Sequence, residues 1–206
     1  MHYGMVIDTK RCVGCNACTV ACKMANNVPQ DIFWTRALTD GGDMMDTPAG
    51  EFPDISMRYI TVSCQHCENP ACAKVCPVGA TYKDPETGVV RQDYDKCIGC
   101  RMCMSACPYN GVRSFNWEEP SYHLDFPVGD QDVAPHQKHV VEKCTFCWHR
   151  LAKGLAPACV EVCSARARIF GDANDPDSEV SQKLRERSSM RLLEDRETEP
   201  SVYFLV

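Results

Sequence analysis

The chain has 206 residues, of which 44% are hydrophobic and 24% are charged, a composition typical of a globular protein with one or two domains. The formal net charge of −6 argues against nucleic acid as a partner, because phosphate binding depends on clustered Lys and Arg. No run of about eighteen apolar residues lacks a charge and the first residues show no secretory signal, so we expect a chain that neither crosses a membrane nor exports itself.

The predicted elements are short, and their mixture of strands and helices indicates an α+β fold. Two stretches without such patterns, residues 31–57 and 116–139, are predicted insertions that lie over the core as loops or offer surface to a partner. The predicted strands, in chain order, are YGMVID from Tyr3, RYITVS from Arg58, GVVRQ from Gly88, VRSFN from Val112, HVVEK from His139 and ARIFGD from Ala167. Short helices are predicted after Cys18, Cys72, Cys103 and Cys159.

The chain contains 16 cysteines, a share typical of a small secreted disulfide scaffold or of a set of metal sites. They fall into four groups of four with none left over, and groups one and three have the spacing CxxCxxCxxxC. That spacing is the bacterial ferredoxin run that holds 4Fe-4S clusters. The groups, in chain order, are Cys12, Cys15, Cys18 and Cys22; Cys64, Cys67, Cys72 and Cys76; Cys97, Cys100, Cys103 and Cys107; Cys144, Cys147, Cys159 and Cys163.

The cysteine groups lie within an internal repeat. DTKRCVGCNACTVAC, from Asp8, lines up with DYDKCIGCRMCMSAC, from Asp93, at the Asp, every Cys, the Gly and the Ala before the last Cys. PACAKVC, from Pro70, lines up with PACVEVC, from Pro157. The offset predicts duplication of a unit about 85 residues long. Units this small have little core for their length and are commonly held together by metal.

Two loop glycines suit a cluster with a large negative charge. Thiolates three residues apart can converge on successive corners of one cube, and Gly14 and Gly99, which lack a Cβ, let backbone N–H groups approach the cluster sulfurs. A 4Fe-4S core with four thiolates carries about two negative charges when oxidised and about three when reduced, so burying it without hydrogen bonds is costly. Four clusters would add about eight negative charges, which predicts a neutralising partner surface.

The fourth cysteine of a ferredoxin run is expected to leave the cluster of the other three. Cys107 follows a further turn and precedes Pro108, so it should reach a neighbouring cluster, as the fourth cysteine does in two-cluster ferredoxins. Two arrangements then remain. Either group one pairs with group two and group three with group four, or group one pairs with group four and group two with group three. The repeat alone does not choose between them.

Zinc sites and disulfides are the alternative uses of these cysteines. Taken by itself, group four has a spacing that zinc sites also use, but the two ferredoxin runs and the likeness of group four to group two weigh against zinc. Disulfides are disfavoured because a bridge between the closely spaced cysteines of a CxxC pair is strained. We interpret His66 as a structural or surface residue, because its group already has four thiols. The chain has no GxGxxG, phosphate loop or GxSxG, so we predict no catalytic residues and no small-molecule substrate.

These motifs together resemble the four-cluster iron–sulfur subunit of the molybdopterin oxidoreductases, the family of dimethyl sulfoxide, polysulfide, thiosulfate and arsenate reductases. The resemblance covers Met1 to about Asp177 and is weaker in the tail, residues 178–206. A proline follows the last cysteine of groups two and three, whereas Lys23 and Ser164 stand at the corresponding place in groups one and four. Such subunits tolerate this departure. The resemblance is carried by MVIDTKRCVGCNACTVACKMANNVP, SCQHCENPACAKVCPVGATY, DYDKCIGCRMCMSACPYNGVR and VEKCTFCWHRLAKGLAPACVEVCSARARIFGD.

The resemblance implies an electron-transfer subunit of an anaerobic respiratory complex, with four 4Fe-4S clusters and no catalysis of its own. It favours the nested arrangement, with one ferredoxin-like unit at residues 1–30 plus 140–177 and a second at 58–115. The resemblance implies that Cys163 with Cys12, Cys15 and Cys18 forms the cluster nearest molybdenum, and that Cys76 with Cys97, Cys100 and Cys103 forms the cluster nearest the quinone. The other two implied ligand sets are Cys22 with Cys144, Cys147 and Cys159, and Cys107 with Cys64, Cys67 and Cys72.

The implied partners are a large molybdopterin catalytic subunit and an integral membrane subunit that binds quinone. They would hold the chain at the membrane, on the outer face if a partner with a signal carries the folded chain across, and otherwise on the cytoplasmic face. The alternative is a free soluble polyferredoxin. A free carrier has little use for about 75 residues outside its cluster-binding units, so the insertions and the tail favour docking to partners.

Overall fold

The computed structural model describes residues 1–41 and 46–206, and its helices and strands are short. In chain order they are β1 (Tyr3–Asp8), α1 (Ala17–Ala25), β2 (Thr35–Thr39), β3 (Ala49–Glu51), β4 (Asp54–Ser56), β5 (Tyr59–Ser63), α2 (Ala71–Lys74), β6 (Thr81–Lys83), β7 (Val90–Gln92), α3 (Met102–Ser105), β8 (Arg113–Phe115), β9 (Val141–Lys143), α4 (Trp148–Leu151), α5 (Ala158–Glu161), β10 (Arg168–Asp172), α6 (Glu179–Glu186), β11 (Ser189–Met190), a 3₁₀ turn (Glu194–Arg196) and β12 (Val202–Leu205).

A four-stranded sheet in the order β10-β1-β12-β11 joins the beginning of the chain to its end. β1 is antiparallel to β10 and parallel to β12. Side chains alternate across a strand, so Met5 and Ile7 pack in the part of the core that contains cysteines, whereas Val6 packs on the opposite face with Val180 of α6. The sheet therefore has α6 on one face and thiols on the other.

Two-stranded antiparallel ladders connect the cysteine loops to one another. β2 pairs with β5 directly before group two, with Thr35 opposite Ser63. β8 pairs with β9, with Arg113 opposite Lys143, which brings the end of group three beside the start of group four. The short ladders β3–β4 and β6–β7 complete the pairing in the described residues.

The mixed helix and strand composition is confirmed, and all six predicted strands are present, each starting within two residues of its predicted start. The four predicted helices are present too, but each begins one residue before the named cysteine, so Cys18, Cys72, Cys103 and Cys159 lie inside the first turn. Strands β2, β6 and β12 are among the elements that the sequence patterns did not predict.

The predicted insertions and tail differ in how far they join the fold. Residues 31–57 contain β2, β3 and β4, while residues 42–45 of this insertion lie outside the described residues. Residues 116–139 run as a loop from β8 to β9. Residues 178–206 contribute α6 and β12, so much of this tail belongs to the main sheet and its cover. No helix in the described ranges is long and apolar enough to cross a bilayer.

Candidate metal centres

All sixteen thiols are free, and they lie together in four sets, each drawn from two distant parts of the chain. This is the grouping of the nested arrangement, groups one with four and two with three. We call the sets site A (Cys12, Cys15, Cys18, Cys163), site B (Cys22, Cys144, Cys147, Cys159), site C (Cys64, Cys67, Cys72, Cys107) and site D (Cys76, Cys97, Cys100, Cys103).

Sites A and D are cavities ringed by their four cysteines. In each, three cysteines come from one ferredoxin run, and the fourth, Cys163 in site A or Cys76 in site D, comes from another group. Thr61 and Arg168 also line site A, and Thr81 also lines site D. The exchange of the fourth thiol therefore occurs at both cavities.

Sites B and C bring their thiols together deeper in the protein. Burial raises the pKa of Cys22 well above its ordinary value, and Cys144, Cys147 and Cys159 raise it further. In site C, burial raises the pKa of Cys107 to about 12, with a further contribution from neighbouring site C thiols. Thiols packed this closely resist becoming thiolates unless a cation or a metal centre stands between them.

The four sites form a row in the order A, B, C, D. Cys18 of site A lies within electrostatic reach of Cys159 of site B. Cys144 of site B lies within reach of Cys64 of site C. The last link joins Cys103 of site D to a thiol of site C, Cys72.

Exposure to solvent separates the ends of the row from its middle. Cys15 of site A and Cys100 of site D are exposed, whereas all four thiols of site B are buried. Two apolar loop tips stand beside the exposed thiols: Val13 at site A and Ile98 at site D are each 62% exposed. The two ends are therefore the parts of the row that another protein can approach.

The loop glycines occupy a backbone conformation that L side chains rarely adopt. Gly14 has a φ of 65° and Gly99 a φ of 68°. A Cβ on Gly14 would lie 2.3 Å from the Tyr59 ring, and one on Gly99 would lie 2.5 Å from the His139 carbonyl oxygen. Both positions thus require glycine for space as well as for conformation.

Backbone N–H groups point at several of the sulfurs. The Thr81 N–H lies 3.4 Å from Cys76 Sγ, and the Ala167 N–H lies 3.2 Å from Cys163 Sγ. The pKa of Cys76 is lowered: burial opposes this shift, but the N–H groups of Thr81 and of residues 78–80 outweigh it. A row of N–H groups in such a turn is a common way to stabilise the sulfurs of a cluster.

Three buried cations near the thiols were missed by the sequence analysis. Arg113, Lys143 and Arg168 are the buried Lys and Arg side chains of the described residues. The signal was present in the predicted strands VRSFN, HVVEK and ARIFGD, each of which carries a cation in a strand close to a cysteine group. A buried cation has to be compensated by a negative partner, and no carboxylate in the described ranges pairs with any of the three.

His66 fills space between two sites. It is fully buried, its ring stacks on Phe146 with centroids 3.7 Å apart, and its Nδ1 accepts a hydrogen bond from the Val90 N–H at 3.2 Å. Burial holds its pKa well below the ordinary value, as does the charge of Lys143. Of the two interpretations given for His66, structural or surface residue, the structural one is confirmed, because the ring lies in the core.

The thiols suit a cluster better than a single ion. In the described residues, no three His, Cys, Asp or Glu side chains come together as the ligands of one metal ion would. A zinc ion bound at about 2.3 Å from each of four sulfurs brings those sulfurs within roughly 4 Å of one another. A 4Fe-4S cluster is larger than one ion, so the cysteine sulfurs that bind its four irons lie farther apart. Four thiols around each site, N–H groups at the sulfurs and unbalanced buried cations fit an anionic 4Fe-4S cluster.

Comparison with known proteins identifies the class to which this chain belongs. Residues 55–123 and 131–173 match the 4Fe-4S dicluster domain family. A protein of Halobacterium salinarum named as an iron-sulfur subunit of dimethyl sulfoxide reductase is 52% identical over 99% of this chain and 79% of its own length.

Two further relatives extend the comparison. The arsenate respiratory reductase iron-sulfur subunit ArrB of a Shewanella species is 40% identical over 100% of this chain and 96% of its own length. The iron-sulfur cluster-binding subunit of menaquinone reductase from Nitratidesulfovibrio vulgaris is 38% identical over 100% of this chain and 89% of its own length. The chain belongs to the family of iron–sulfur subunits of reductase complexes to which these relatives are assigned by name.

Proposed function

We propose that this chain holds four 4Fe-4S clusters, one at each of sites A to D, and passes electrons along the row. The four cysteines of each site would bind the irons, with Gly14 and Gly99 leaving room for backbone N–H groups at sites A and D. Each bound cluster supplies reversible one-electron chemistry. The observation that carries this proposal is the row itself, which has an exposed thiol at each end and only buried or partly buried thiols at sites B and C.

The two exposed ends suit two different partners. Site A would face a large catalytic subunit that holds molybdopterin, and site D an integral membrane subunit that binds quinone. The direction of this assignment rests on the family resemblance, and the names of the relatives, which include dimethyl sulfoxide and menaquinone reductases, support such a complex. Exposed Val13 and Ile98 give each end an apolar contact point for its partner.

The domain organisation that we propose follows the nested arrangement. Residues 1–30 plus 140–177 would form one ferredoxin-like unit with sites A and B, and residues 58–115 a second unit with sites C and D. The positions of the thiols support this division. The loop at 116–139 would dock a partner through exposed apolar side chains, which include Trp117, Phe126 and Val128, as would those parts of residues 31–57 and 178–206 that lie outside the sheets.

The chain would itself bind no substrate and catalyse no reaction. Membrane association would come from the partner subunits, on the extracytoplasmic face, or on the cytoplasmic face if the complex is not exported. The proposed role is thus a relay in anaerobic respiration. Chemistry and quinone exchange would both take place in other chains.

The test of this relay is to interrupt it at one end. In the intact complex, Cys100→Ser should damage site D and abolish turnover with quinol, while a reduced dye that donates directly to the catalytic subunit still supports at least half of the activity. Ser105→Ala, an exposed change in the helix α3 that follows Cys100, should leave both assays unchanged. Equal loss of quinol and dye activity in Cys100→Ser would contradict the relay, provided that the complex remains assembled.

A further inference from the structure

The three buried cations lie in the three gaps of the row of sites. Arg168 lines the site A cavity and lies within electrostatic reach of Cys18 of site A and of the site B thiols Cys159 and Cys144. It therefore stands between sites A and B.

Arg113 has the corresponding position in the other half of the row. It lies within electrostatic reach of Cys72 and Cys64 of site C and of Cys103 of site D, and it donates to Gln92, which lines the site D cavity. Both arginines stand in the strand that follows the second cysteine group of their pair: Arg113 comes after Cys107, and Arg168 comes after Cys163. The same device thus occurs once between A and B and once between C and D.

Lys143 occupies the middle gap. Its Nζ donates to the carbonyl oxygen of Cys144, a site B residue, at 2.9 Å, and also donates to the carbonyl oxygen of Val90. The Val90 N–H in turn donates to His66, which lies in the site C loop between two of its cysteines. Lys143 therefore bridges the backbone between sites B and C.

The protein contacts of the arginines leave part of each guanidinium free. Arg168 donates to Thr61 Oγ1 at 2.7 Å and to Met5 Sδ at 3.1 Å, and its Nε has no partner. Arg113 donates to Gln92 Oε1 at 3.4 Å, and its Nη2 has no partner. The buried carboxylates of the described residues, Asp8 and Glu142, are paired elsewhere, with Arg187 and His136.

We propose that Arg168, Lys143 and Arg113 are potential-setting residues, one in each gap, whose fixed positive charges stabilise the reduced clusters on both sides. The inference rests on the proposed function, because it needs clusters at sites A to D. A reduced cluster carries one more negative charge than an oxidised one, so a nearby cation raises its reduction potential. A cation between two clusters also weakens the repulsion between neighbours that are both reduced, which lets electrons occupy adjacent sites.

The test is an anaerobic redox titration of the intact complex, followed by electron paramagnetic resonance, for Arg168→Gln, Lys143→Gln and Arg113→Gln. Each variant should lower two of the four midpoint potentials by at least about 59 mV. For a one-electron couple this shift corresponds to a tenfold change in the ratio of reduced to oxidised cluster. The pair shifted by Arg168→Gln and the pair shifted by Arg113→Gln should share no cluster. The pair shifted by Lys143→Gln should share one cluster with each of the others.

Two controls separate charge from packing. Arg168→Lys and Arg113→Lys, which keep the charge, should retain more than half of the difference from the Gln variants. Arg196→Gln, at a side chain that is 63% exposed, should leave all four potentials unchanged. If a Gln variant at one arginine loses its clusters, the variants at the other two positions still give the overlap pattern between neighbouring gaps.

Iron and sulfide analysis keeps this inference apart from the proposed function. A wild-type protein without clusters would contradict the proposed function. Full cluster content in the variants with unchanged potentials, or with all four potentials shifted together, would overturn only the assignment of one cation to each gap.

Discussion

The loop at residues 116–139 is fastened to the core by a buried ion pair, which makes its stability depend on pH. His136 Nδ1 lies 2.6 Å from Glu142 Oε1, and His136 Nε2 lies 2.9 Å from the Asn26 carbonyl oxygen. Both partners can only accept, so both ring nitrogens donate and the imidazole carries a positive charge. Asn116 Nδ2 also donates to Glu142 Oε1, at 2.6 Å.

The direction of the pH effect follows from the pKa of His136. Burial lowers that pKa, but the hydrogen bond and the charge of Glu142 outweigh burial, so the net shift is upward. A raised pKa contributes stability that is fully present below the unfolded value of about 6.5 and is lost as the pH rises through the folded value. Each unit of elevation corresponds to about 1.4 kcal/mol. We expect the loop to be most stable below neutrality and to loosen in alkali.

Replacing the carboxylate should remove this stabilisation. Both side chains are almost fully buried, at 1% and 0% exposure, and removing one member of such a pair costs about 3–5 kcal/mol. Glu142→Gln keeps an acceptor for Asn116, so we expect the lower end of that range, about 3 kcal/mol. A local opening easier by that amount corresponds to amide exchange about 100-fold faster in the loop.

Hydrogen exchange of the loop amides measures the effect directly. The Gly129 N–H, which donates to Asn27 Oδ1, and the His139 N–H, which donates to the Asn116 carbonyl oxygen, report on the attachment. Their protection against opening should be higher at about pH 6 than at about pH 9, and Glu142→Gln should abolish the difference. Glu118→Gln breaks only the exposed pair with Lys138 and should cost less than about 1 kcal/mol. Equal protection at both pH values in the wild type would refute the charged state of His136.

Two further predictions concern the site loops and the partners. Gly99→Ala should lower the iron content by about one cluster in four, because strain from the positive φ adds to the clash with the His139 carbonyl oxygen. The control is Gly154→Ala, where φ is 72° and nothing lies within 4 Å of the added Cβ. Iron analysis of this control should find a full complement, although thermal unfolding should show a loss of about 1–2 kcal/mol in stability. Expressed with its native partners, the chain should co-purify with a much larger subunit and with membranes in mild detergent. A Val13→Glu, Ile98→Glu double variant should weaken that association at least tenfold while cluster content stays the same. A wild-type chain that purifies free of any large partner would favour the soluble polyferredoxin.

The local features of the fold could be predicted because they depend on residues that are close in sequence. The six strands follow from apolar patterns, and Gly14 and Gly99 adopt the positive φ that a tight loop around a cluster requires. The cysteine helices begin one residue early because the turn is set by the residue before them. At the ferredoxin runs that residue is left-handed, Asn16 before α1 and Arg101 before α3.

The long-range features could not be predicted from spacing. Which group supplies Cys76 or Cys163 to a cavity depends on how distant segments pack, and the repeat allowed two arrangements. β12 pairs in parallel with β1 across almost the whole chain, a contact that a local pattern cannot reveal. Arg113, Lys143 and Arg168 carried a usable signal as cations within strands, but their partners became apparent only when the sites were seen in a row.

The most direct test of the account is the metal content of the chain, purified with its partners and without oxygen. Sixteen thiols at four to a cube predict about sixteen irons and about sixteen acid-labile sulfides for each copy of the chain, with zinc near zero. A preparation with about two to four zinc ions, no sulfide and no brown colour would contradict the proposal that sites A to D hold iron–sulfur clusters.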